Sequence, residues 1–114
     1  MKVFQAYLEE EMMRLKDEER ALRKEERKDE ANHVRVRCNI FEVCGTIRKV
    51  VQQTAAPEEM TVVYLRKLDN LQVSWKESLE KAQAYGDVEK ITIEEIKLQA
   101  LTEIRARFCE EQER

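Results

Sequence analysis

The chain of 114 residues and 13.6 kDa has the size of one modest domain. Charged residues make up 39% of it, against about 25% in ordinary globular chains. A hydrophobic share of 42% still allows a packed core and argues against disorder throughout.

Two glycines and one proline leave too little turn chemistry for a many-stranded sheet, so the expected class is all-α. The same scarcity removes the phosphate-cradling loops, where backbone must approach phosphate with no Cβ in the way. One histidine, His33, leaves the commonest acid–base side chain almost unrepresented. A net charge of −3 and a pI near 5.4 disfavour a dedicated nucleic-acid binder. No apolar run approaches the roughly 20 residues that span a bilayer. Glu9, Glu10 and Glu11 fall where a secretory leader would keep its apolar stretch. Three cysteines, an odd number, suit a reducing compartment better than a disulfide framework. The expectation is a soluble, cytoplasmic chain with no cofactor, no metal and no enzymatic activity.

In chain order, residues 1–33 carry a thin apolar stripe of Phe4, Leu8, Met12, Leu15 and Leu22, with Tyr7 beside it. From Asp17 to Glu30 only Ala21 and Leu22 are uncharged. Read as heptads, Leu8, Leu15 and Leu22 take position a while Glu11, Glu18 and Glu25 take d, which makes half a coiled-coil seam.

Residues 34–53 give the clearest helical signal. Arg35, Asn39, Glu42, Thr46, Lys49 and Gln53 recur at alternating spacings of four and three, one polar stripe of a helix. Val36, Ile40, Val43, Ile47 and Val50, flanked by Phe41, Cys44 and Val51, form the apolar side, wide enough for more than one neighbour.

Pro57 suits the first turn of the next helix, with Glu58 and Glu59 beside its positive dipole end. Its stripe runs through Tyr64, Leu68, Leu71, Trp75, Ser78, Ala82 and Tyr85, and Gly86 ends it. A capping box at Thr92 and Glu95 predicts the start of the last helix, whose apolar face is Ile93, Ile96, Ala100, Leu101, Ile104 and Phe108.

The expected architecture is an antiparallel three-helix bundle of residues 34–114, with residues 1–33 as a charged helical extension. An unbroken first helix would reach about 80 Å and project beyond its neighbours. A turn near Ala31 and Asn32 would instead close a four-helix bundle. On a projecting helix nothing within the monomer covers Phe4, Leu8, Met12 and Leu15, so these four are the expected partner-binding surface. The expected function is helix-mediated assembly, as a homodimer with itself or as a small adaptor or regulatory subunit on another helical protein.

Two rival readings rest on weaker constellations. Glu30 and His33 sit at the Glu-x-x-His spacing of di-iron bundles and, with Cys38, Cys44 and Cys109, suggest a metal- or thiol-dependent sensor or enzyme. Cys38 and Cys44 are about 9 Å apart in rise on one helix, too far for a disulfide and wrong for shared ligation. Arg35, Arg37, Arg48 and Lys49, less Glu42, leave residues 34–53 at +3 and suggest weak nucleic-acid binding.

Overall fold

The computed structural model describes residues 2–112. It is an all-α bundle of four helices: α1 (Lys2–Lys24), α2 (Lys28–Thr54), α3 (Met60–Tyr85) and α4 (Val88–Gln112). A single 3₁₀ turn, Pro57–Glu59, leads into α3. No described helix is long and apolar enough to cross a membrane.

The first helix does not project. It ends at Lys24, and α2 returns antiparallel along it. The chain reverses at Glu25–Arg27, where Glu26 takes the left-handed conformation at φ 62°. The Glu26 amide donates to the Arg23 carbonyl and the Arg27 amide to the Leu22 carbonyl, at 3.1 and 3.0 Å. This pair of bonds satisfies carbonyls that the helix end would otherwise leave open.

The chain reverses a second time in the same way at Gly86 (φ 67°), whose amide donates to Gln83 while Asp87 donates to Ala82. Arg23 and Lys24 end α1, and Asp29 and Glu30 open α2, so each dipole end meets the charge it favours.

Ala31 and Asn32, where the four-helix alternative put its turn, lie inside α2, and the chain reverses a few residues earlier. Ala31 is fully buried, and Asn32 accepts a hydrogen bond from Arg23 across the hairpin at 3.1 Å. The start of α4 also differs from expectation. Asp87 caps it by accepting from the Lys90 amide at 3.1 Å, while Thr92 sits inside the helix and donates to the Val88 carbonyl.

α2 is the hub, packing against α1, α3 and α4. It runs in the same direction as α4, with His33 facing Glu89 and Arg37 paired to Glu103. The core holds four fully buried aromatic residues, Phe4, Phe41, Tyr64 and Phe108. Phe4 packs edge-on against Tyr64 and Phe108 at ring separations of 5.8 and 5.0 Å, and Tyr64 against Phe108 at 4.8 Å. Such geometries set the positive ring edge against a negative face. Away from this centre, α3 and α4 are pinned by Asp69–Arg105 at 2.8 Å and by Lys97 over the Trp75 ring.

Phe4, Leu8 and Leu15 belong to the same core as Leu68, Leu101 and Ile104. The division into an extension of residues 1–33 and a bundle of residues 34–114 is corrected accordingly. The apolar stripe of α1 is large enough to need cover, and a turn through Glu26 lets α2 provide it.

Candidate functional site

Burial overturns the N-terminal stripe as an exposed partner surface. Phe4 is fully buried, Leu8 and Leu15 nearly so, and Met12 packs half-buried against the core. Burying such side chains stabilises by about 1.5–3 kcal/mol each. Here that contribution holds α1 to its own bundle. The Met12 carbonyl also accepts the Cys38 thiol at 3.8 Å.

The residues of the metal or thiol reading are dispersed. Glu30 is exposed and bound to Arg27, which holds its carboxyl below the usual carboxylate range. His33 faces Glu89 of α4 at 3.9 Å. Cys38 and Cys44 are buried, and burial pushes the Cys44 thiol up to about 12. Cys109, half-buried, lies 3.8 Å from an Arg105 nitrogen. Among the described residues no three His, Cys, Asp or Glu side chains converge as a metal site would require.

The basic positions also part company. Arg37 pairs with Glu103 and stacks over Phe41, and Arg48 is sealed inside, which leaves Arg35 and Lys49 exposed.

What the sequence reading missed is the outer face of the α1–α2 hairpin. The polar stripe of α2 is solvent-exposed at all six positions, from Arg35 to Gln53. The apolar side is only half used. Ile40, Phe41, Cys44 and Val51 enter the core, whereas Val43 stays 37% and Val50 45% exposed, with Ile47 partly so. A shallow depression over Val43 and Ile47 adjoins the seam between the helices, and the seam adjoins another over Met12 and Met13 on α1. Met13 is 67% exposed.

Charges on this face stand apart from those elsewhere on α1. Glu11, Asp17, Glu18 and Glu19 are each paired with an arginine three or four residues away. Glu9, Lys16, Glu42 and Lys49 form no ion pair with any other described residue.

Arg48 sits in the seam, 3% exposed. One guanidinium nitrogen donates to Gln52 at 2.6 Å, but Nε is buried with no partner, and no carboxylate lies within ion-pair distance. Gly45, one turn earlier, lines the same seam, where a Cβ would lie in ordinary van der Waals contact with Leu8 at 3.8 Å. Glycine in a helix interior costs about 0.5–1 kcal/mol relative to alanine. That cost, three residues before an arginine on an otherwise apolar flank, is the signal that could have located the seam.

Comparison with protein-family models, with curated proteins and with solved structures finds no match for this chain.

Proposed function

We propose that this protein is a non-enzymatic helical interaction module that pairs with a second copy of itself through the outer face of its first hairpin. The observation carrying this reading is the combination on one surface of uncovered apolar side chains and unpaired charges of both signs. Met12, Met13, Val43, Ile47 and Val50 supply the apolar part. Glu9 and Glu42 against Lys16 and Lys49 supply two acids and two bases. A two-fold interface brings the same patch to itself, so a patch carrying both signs can satisfy its own charges, whereas a patch of one sign would repel. A reducing, cytoplasmic setting belongs to this reading, and three unpaired cysteines support it.

Sedimentation velocity over a range of protein concentrations tests the proposal. The wild-type chain should sediment as a dimer, and Val43→Glu should sediment as a monomer with unchanged helical circular dichroism, because Val43 is outside the core. A wild-type chain that is monomeric throughout, or a Val43→Glu variant that still pairs, would sink the assignment of this face.

A further inference from the structure

We infer that the seam between α1 and α2 is a binding site for a monocarboxylate with a short apolar tail, its carboxylate received by Arg48. The inference starts from a charge with no counter-charge. Arg48 is 97% removed from solvent by its own fold, and its Nε–H reaches neither a protein acceptor nor the surface. Gln52 takes one donor of the fork and brings no charge. A buried cation left alone is strongly unfavourable, and buried charges are normally paired or hydrogen-bonded in full. The planar guanidinium matches a carboxylate with two parallel hydrogen bonds.

The second observation is the space. A groove of about 260 Å³ is lined by Arg48 together with Leu8 and Met12, apolar side chains that suit a hydrocarbon tail. The acids that also line it are not the missing partner. Glu9 is held by the Gln5 side-chain amide at 3.0 Å, and neither Glu9 nor Glu42 lies within ion-pair distance of Arg48. Their presence sets the ligand class, because a second negative charge on the ligand would face two carboxylates with only Lys49 to offset them. The site therefore takes one negative charge and rejects two, which separates a carboxylate from a phosphate.

The test is a titration of the full chain with sodium hexanoate, read at the Arg48 side-chain Nε–H in nitrogen-edited NMR. The expected result is a saturable shift of that resonance and a rise in thermal midpoint. Inorganic phosphate should shift it less at equal concentration. Arg48→Lys should weaken hexanoate binding about tenfold, since an ammonium lacks the bidentate fork. Arg48→Met should abolish it while remaining folded, because it replaces a buried charge by an apolar side chain of similar length. Val43→Glu frees from a facing copy the Glu9, Met12, Glu42 and Lys49 side chains that line the groove, so it should bind hexanoate at least as tightly as the wild-type chain, and this proposal and the self-association proposal fail separately. The inference is overturned if hexanoate gives no saturable shift, if binding survives in Arg48→Met, or if phosphate binds the tighter.

Discussion

Tyr64 and Cys44 meet where α3 crosses α2, and the Tyr64 hydroxyl donates to the Cys44 carbonyl at 2.8 Å. Both side chains are fully buried, and desolvation raises both acid pKa values, the Cys44 thiol from 9.0 to about 12 and the Tyr64 hydroxyl further still. A raised acid pKa means that the folded state holds its proton longer than the unfolded chain. The associated stability is fully present below the unfolded value and is lost as pH rises through the folded one. Denaturant midpoints should hold up to about pH 9 and fall between there and about pH 12, with Cys44→Ala flattening part of that fall. At pH 8, iodoacetamide should modify Cys109 well before Cys44; equal rates would contradict the burial. The core role of Cys44 is legible in sequence, since a small apolar side chain among Ile40, Phe41 and Val51 has little other reason to be there. Arg48 is not, because arginine on a helix flank ordinarily marks surface.

Between residues and fold, the two left-handed turns use one hydrogen-bonding pattern with different side chains. Gly86 adopts its conformation without steric penalty. Glu26 places a Cβ against its carbonyl oxygen, a strain of about 1–2 kcal/mol. Glu26→Gly should therefore raise stability by about 0.5–1 kcal/mol, after allowing for the greater freedom of glycine in the unfolded chain. Urea denaturation measures this, and a lowered midpoint would show that the turn is held in another way.

The difference explains why one reversal can be read from sequence and the other cannot. Gly86 announces itself. Glu25, Glu26 and Arg27 are strong helix formers in a charge run, and only the need to cover Phe4, Leu8 and Leu15 bends the chain there. Thr92 and Glu95 show the converse, a capping signature that is outcompeted when Asp87 caps the helix five residues earlier.

At the scale of the molecule, the longest dimension is 46 Å, far short of the extended first helix. The all-α class and the second, third and fourth helices follow from periodicity alone. Whether α1 projects or folds back does not, because its stripe can be buried by its own chain or by another, and periodicity reads the same either way. The proposed interaction surface is hidden for a related reason: the α2 apolar band is continuous in sequence, and only the positions of α1, α3 and α4 decide that Val43 and Val50 are left over.

The two reversals also govern how quickly the molecule assembles. Each joins a helix to its nearest neighbour in the chain, so α1 finds α2 and α3 finds α4 by closing very short loops. Only the docking of the two hairpins along α2 and α4 must bring together residues distant in the chain. Bundles dominated by such local contacts fold within microseconds to about a millisecond. Stopped-flow refolding should find most of the Trp75 fluorescence change complete in its dead time, and a dominant phase of seconds would mean that the hairpins do not form first.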